Sequence, residues 1–268
     1  MTRRRFALNR LPGFALMAVI TFILLYLPIL TLVVFSFNSA ASMSLWGGFS
    51  LDWYRAAWAN QTVQEVSMRS LWIAVSAASI ATTVATMAAL ATTRTGAFRG
   101  QTLIYALIHQ PLMVPEIVTG VALLIFFAVI KVYTGYTGLG YLIAAHSAFC
   151  IPFAYLPIRA RLQTMDLNLE RAAADLYATP LQAFRTITLP LLMPGMMAGF
   201  MLAFVTSLDT VVITEFVKSA GQDTLATYML GQMRRAVTPE MYAISTLFLL
   251  LSLLAVAVFF LVSRKRLS

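Results

Sequence analysis

The chain has 268 residues, of which 60% are hydrophobic and only 11% charged, less than half the charged fraction of an ordinary soluble domain, about 25%. With a mean hydropathy of +0.82, the apolar residues exceed what one core of this length can hide, so lipid must solvate much of the surface. The net charge of +9 does not mark a nucleic-acid binder. The basic residues gather at the two ends (Arg3, Arg4, Arg5 and Arg10; Arg264, Lys265 and Arg266) and between apolar runs, where they set membrane orientation. Cys150 is the sole cysteine, which excludes an intramolecular disulfide.

Six apolar segments reach about the 20-residue length that a bilayer core requires: roughly 13–36, 71–92, 102–130, 138–158, 190–211 and 242–263. The first follows an arginine-rich start, but its apolar run exceeds the roughly 7–15 residues of a signal-peptide core. An uncleaved first helix is therefore expected. Segment two is built from small residues, among them Ala74, Ala77, Ala78, Ala81, Thr82, Ala85 and Ala89, which let helix backbones approach closely; it reads as a packing helix. Segment three carries Pro111 and Pro115, with Glu116 immediately after. Broken backbone at membrane depth is tolerated against protein or a water-filled cavity, which makes this segment a candidate for a bundle interior, although prolines also occur as plain kinks. Segment four holds His146 and, one turn on, Cys150. Two ligands make no metal site, so a buried, hydrogen-bonded histidine is expected there. Six spans put both termini on one side, which also collects 13 of the 19 Lys and Arg; by the positive-inside rule that side is cytoplasmic.

The connection 159–189 between segments four and five is the longest on that side. Asp166 or Asn168 is placed to cap a short helix through Glu170, Arg171, Ala172, Ala173, Ala174, Asp175 and Leu176. Thr179-Pro180-Leu181-Gln182 then reads as a capping box with proline at the first helical position, opening a second helix that is expected to stop before Pro190. The pair reads as a helix-turn-helix on the cytoplasmic face, either a membrane-surface pair held by its arginines or a docking surface for a partner.

Segment five opens with Pro190, Pro194 and the pair Gly195-x-x-x-Gly199, a second broken segment. Of the ten acidic residues only Glu116 and Asp209 lie in or at the edge of an apolar segment. Carboxylates in a span face a bundle interior or a water-filled path, because lipid exposure costs several kcal/mol. They are therefore candidates for a cationic solute path, with Phe126, Phe127, Tyr133 and Phe204 as cation–π partners. The structural alternatives are that Glu116 satisfies backbone freed by Pro111 and Pro115, and that Asp209 caps a helix end. None of the three lysines follows a glycine, so the chain has no P-loop for ATP hydrolysis, and no H-E-x-x-H or G-x-S-x-G supports an intramembrane hydrolase. No catalytic residue and no metal ligand is expected. A stand-alone secondary carrier remains as a rival reading, although no half-repeat matches segments three and five.

The stretch Glu170-Arg-Ala-Ala-Ala-Asp-Leu-Tyr177 followed by Ile187-Thr-Leu-Pro190 resembles the EAA loop of binding-protein-dependent ABC importer permeases. Registering on Leu189-Pro190 places Arg171 where that family has Glu, Ala172 and Ala173 on its alanines, and Tyr177 where it has Gly. Glu170 sits one position early, a rotation of about 100° on a helix, so the family glutamate's salt link is not expected to pass to it. Further blocks are similar to the second permease subunit of spermidine/putrescine importers, the PotC type. They are Trp46–Tyr54, Val114–Val118, His146–Pro152 with Arg159-Ala-Arg161, Ser207–Ile213 and Arg234–Glu240. Asp209-Thr210 stands where members of this type often have two adjacent Asp residues.

The resemblance implies an all-α integral membrane protein with the type I ABC importer permease fold. It has six transmembrane helices, with a cytoplasmic coupling helix pair between spans four and five, and residues 1–268 form a single permease domain. It further implies a multi-pass protein of the bacterial inner membrane that pairs with a second permease subunit as a heterodimer. Two cytoplasmic ATPase subunits use ATP, a periplasmic substrate-binding protein delivers the solute, and the chain itself binds no cofactor. Glu170, Arg171, Ala172, Ala173, Asp175, Tyr177 and Pro190 would then serve ATPase coupling, and loops 37–70 and 212–241 would meet the binding protein.

Overall fold

Proline, glycine and apolar runs of bilayer length dictate long helices joined by short polar turns, because backbone N–H and C=O groups in lipid must be satisfied within the segment. The computed structural model describes residues 13–40, 45–96, 98–235 and 238–265, and among these the only β pairing is an isolated bridge between Asn38 and Phe49. Among the described residues six helices are long and apolar enough to cross a membrane: Ala15–Phe35, Gln61–Thr93, Glu116–Thr134, Gly140–Thr164, Pro180–Asp209 and Pro239–Ala257. The protein is an all-α, multi-pass integral membrane protein. Arg3, Arg4, Arg5, Arg10 and Arg266 lie outside the described residues.

The helices divide into two compact units. One holds α1 (Phe14–Phe35), α2 (Asp52–Ala59) and α12 (Pro239–Lys265) as far as Leu250. Span α1 has no buried residue in its apolar window. The loop after it is pinned by Asn38, whose amide donates to the Leu45 carbonyl at 2.7 Å and accepts the Gly47 N–H at 2.8 Å.

The other unit runs from Gln61 to Arg235 and takes in α12 from Leu251 onward. Its helices are α3 (Gln61–Thr93), α4 (Gln101–Met113), α5 (Glu116–Thr134), α6 (Gly140–Thr164) and α7 (Asn168–Asp175). There follow α8 (Pro180–Ala183), a π-helical turn Phe184–Thr188, α9 (Leu189–Asp209), α10 (Val212–Val217) and α11 (Leu225–Met233). The core is the mutual packing of α3, α6 and α9. As the small-residue pattern predicts, Ala74, Ala77, Ala78, Ala81, Ala85 and Ala89 of α3 are fully buried. On α9, a Cβ at Gly199 would lie 2.7 Å from the Ala154 carbonyl oxygen of α6, and one at Gly195 the same distance from the Arg161 Cβ. At both glycines α9 lies too close to α6 to leave room for a Cβ.

Three boundaries differ from the sequence expectation. The run 102–130 is two helices, because Pro115 takes the N-cap of α5 while Val114 is extended, as a residue before proline prefers; Pro111 is absorbed inside α4. Span two begins at Gln61, well before the apolar run, and Arg69 in this polar extension donates to the Asp223 carbonyl at 2.8 Å. Pro190 does not stop the second loop helix, which continues through the π turn into span five. The Leu189 N–H bonds back to the Phe184 carbonyl, five residues earlier, so the widened turn accommodates the missing donor and the ring of Pro190.

Candidate functional site

The first constellation gathers where three helix ends meet. Glu116 opens α5, Asp209 closes α9, and α10 starts two residues after Thr210. A helix N-terminus exposes backbone N–H groups and favours an acid. The Glu116 carboxylate lies near the backbone of Ile213 in α10 and on the same side as Asp209. Its Oε1 is buried without a partner, as is the Oγ1 of Thr119 one turn on. Asp209 is exposed, and no side chain caps the start of α10. The two neighbouring carboxylates supply acceptors suited to an ammonium group.

The aromatic residues do not join this group. Phe126 and Phe127 meet edge to face farther along α5, and Tyr133 is exposed near its end. Phe204 stacks on Phe200 and lines a separate apolar cavity of about 630 Å³ with Met193, Met196, Met197 and Met201.

Behind Asp209, His146 is fully buried and bridges three elements: its Nδ1 is 2.8 Å from Ser207 Oγ and its Nε2 is 2.9 Å from Thr214 Oγ1. Thr214 donates its own hydroxyl proton to the Thr210 carbonyl at 2.8 Å. It therefore accepts from Nε2–H, which leaves Nδ1 to accept from Ser207. This is the hydrogen-bonded histidine the sequence predicts, and Cys150 donates to the Ala203 carbonyl. His146→Phe removes the acceptor of the Ser207 hydroxyl and one of the two hydrogen bonds of Thr214, and is expected to destabilise the unit by about 2–4 kcal/mol. A thermal melt of the purified protein in detergent checks this; an unchanged melting temperature would contradict it.

Beyond the span ends, Lys218 donates to Asp223 at 2.6 Å and to Glu215 at 2.8 Å. Burial disfavours the lysine's charge, but these two hydrogen bonds outweigh it and hold the pKa above the ordinary lysine value.

The second constellation is the loop between spans four and five. Asp166 Oδ1 accepts the Asn168 N–H at 2.9 Å at the start of α7, but the N-cap position falls on Leu167 and not on Asp166 or Asn168. The Thr179–Gln182 capping box is present at the start of α8. Between them α7 closes with the Ala178 N–H on the Ala173 carbonyl and the Tyr177 N–H on the Ala174 carbonyl. This is a Schellman ending that needs a left-handed residue at Tyr177. Tyr177 indeed has φ of 61°, the only positive value at a non-glycine among the described residues, and it is 96% exposed. The backbone therefore keeps the conformation that the glycine of the resembled pattern would supply, at a cost of roughly 1–2 kcal/mol. Tyr177→Gly is expected to slow hydrogen exchange of 168–180, and Tyr177→Val to speed it; no change in either would contradict the strain.

The predicted loop residues separate into two faces. Arg171, Ala172, Asp175 and Tyr177 point outward. Ala173 is buried, Pro190 belongs to span five, and Glu170 turns inward. Glu170 makes an ion pair with Arg94, the residue after α3 (Nε to Oε1, 3.3 Å), and it accepts from Thr188 Oγ1 at 2.9 Å. Arg94, Thr188 and Thr119 were not legible as site residues, because no local spacing links them to their partners.

Residues 81–268 match the model of the family described as binding-protein-dependent transport system inner membrane component. The chain belongs to this family. The permease is 37% identical over 243 residues, 90% of the chain and 86% of the relative, to the putrescine transport system permease protein PotI of Escherichia coli K12. It is 36% identical over 241 residues, 90% of the chain and 92% of the relative, to the spermidine/putrescine transport system permease protein PotC of Haemophilus influenzae. Its fold is shared with a chain of a bacterial ABC transporter involved in import of the acidic polysaccharide alginate, at TM-score 0.69 and 15% identity over 94% of both chains. A chain of the MetNI methionine ABC transporter matches at TM-score 0.57 and 17% identity, covering 77% of the permease and 99% of that chain. The permease is thus a membrane component of a transporter and not an enzyme.

Proposed function

We propose that residues 1–268 act as one permease domain and form half of the membrane path of an ATP-driven importer for a polyamine such as putrescine or spermidine, or a similar small cationic solute. The observation that carries the solute class is the similarity, over nine-tenths of the chain, to permeases named for putrescine and spermidine. Glu116 and Asp209 support it, since they supply paired acceptors at the junction of α5, α9 and α10. In this reading both termini are cytoplasmic, where most of the basic residues collect.

The path is completed by a second, related permease subunit. Two cytoplasmic ATPase subunits hydrolyse ATP, and a periplasmic binding protein delivers the solute. This chain binds no cofactor and no nucleic acid. The outward residues Arg171, Ala172, Asp175 and Tyr177 present the docking face to an ATPase, and Ala173 and Pro190 hold that face in shape. Purification of the tagged chain in mild detergent tests the assembly. The expected preparation contains a second permease and two ATPase copies, and Ala172→Glu removes the ATPase; a chain that purifies alone would contradict the reading.

A further inference from the structure

Helix α7 has eight residues and buries only Ala173. A helix so lightly packed cannot pass force to the bundle through apolar contact alone. Chain connectivity offers one route, through Tyr177, the capping box and α8, but that route crosses the π turn Phe184–Thr188 before it reaches span five. A turn with a shifted hydrogen-bond register is where a helix bends. A cleft of about 320 Å³ lies beside it, lined by Leu90, Arg94, Glu170, Phe184 and Thr188 among others, so the loop does not rest solidly on the span ends there.

Across this gap one acidic side chain joins three elements. Glu170 Oε1 lies 3.3 Å from Arg94 Nε at the end of span two and accepts the hydroxyl of Thr188, the buried last residue of the π turn, at 2.9 Å. The side chains of Arg94 and Glu170 are 14% and 27% exposed, so solvent screens the pair only partly. The Nε and Nη2 atoms of Arg94 are buried and have no aligned hydrogen bond, which leaves Glu170 to balance their charge.

We propose that Arg94, Glu170 and Thr188 form a tie that makes α7, the end of span two and the start of span five move together when α7 is displaced. Glu170 is then a positioning residue acting inside the permease, distinct from the outward face offered to an ATPase. The tie rests on the importer reading only for what displaces α7.

The test uses the complete complex in proteoliposomes and reads putrescine moved per ATP hydrolysed. For Glu170→Gln and Thr188→Val the ratio is expected to fall about fivefold or more. Arg94→Glu and Glu170→Arg should each do the same, and the double charge swap should return the ratio to within about twofold of wild type. Wild-type ratios in Glu170→Gln and Thr188→Val would overturn the tie. If Glu170→Gln does not assemble, Thr188→Val, which removes a single hydroxyl group, decides. Melting temperatures of the same proteins separate mechanics from fold: a swap that restores the melting temperature without the ratio overturns the tie. A wild-type complex that hydrolyses ATP without moving putrescine overturns the solute reading instead. The tie is then read from how far a loaded binding protein stimulates ATP hydrolysis in the same variants, and a stimulation equal to wild type overturns it.

Discussion

Glu116→Gln combined with Asp209→Asn is expected to lower polyamine uptake by the assembled transporter about 100-fold, and each change alone about tenfold. A hydrogen bond to a charged group contributes roughly 1.5–3 kcal/mol, and each factor of ten corresponds to about 1.4 kcal/mol. The substitutions remove charge while keeping shape. Asp209 is exposed at the end of α9 without a side-chain hydrogen bond among the described residues. Assembly and melting temperature should therefore stay near wild type. Thr119→Val, which removes the other orphaned acceptor, should weaken uptake less than either carboxylate change. Uptake by the double variant within twofold of wild type would remove these residues from the solute path.

The second large effect is steric. A Cβ at Gly199 would sit 2.7 Å from the Ala154 carbonyl oxygen and 3.2 Å from its Cα, both backbone atoms of α6 that cannot move without displacing the helix. Gly199→Ala is expected to cost about 1–3 kcal/mol, and Gly199→Leu to prevent close packing of α9 on α6 altogether. At Gly120 the nearest atom is Cδ2 of the Phe216 ring, at 2.8 Å, and a side chain can turn aside. Gly120→Ala should therefore be the mildest of the three. Melting temperatures in detergent should fall in the order Gly120→Ala, Gly199→Ala, Gly199→Leu, from least to most affected. A Gly199→Leu protein as stable as wild type would show that α6 and α9 do not depend on that approach.

Much of the fold was readable from residue type alone. Apolar runs of bilayer length gave the six spans, and the alanines of α3 announced the helix at the centre of the packing. What was not readable depends on register or on contacts distant in sequence. Pro190 looked like a stop because proline normally removes the i–4 hydrogen bond; only the π turn before it makes continuation inexpensive. Tyr177 gave no sign of a left-handed backbone, since that conformation is imposed by the Schellman ending of α7 and not preferred by tyrosine. Glu170 was placed correctly on the loop, but its direction became clear only once α3 brought Arg94 beside it. The aromatic partners expected for Glu116 and Asp209 lie elsewhere, because their positions along α5 and α9 turn them to other neighbours.

The central claim is that this chain moves an amine-bearing cation only as part of an ATP-driven assembly. Uptake of labelled putrescine and spermidine tests it most directly, in proteoliposomes containing either the full complex with ATP and binding protein or this chain alone. The account predicts uptake that requires ATP, the binding protein and all subunits together. Uptake by the chain alone, driven by an ion gradient and indifferent to ATP, would contradict it.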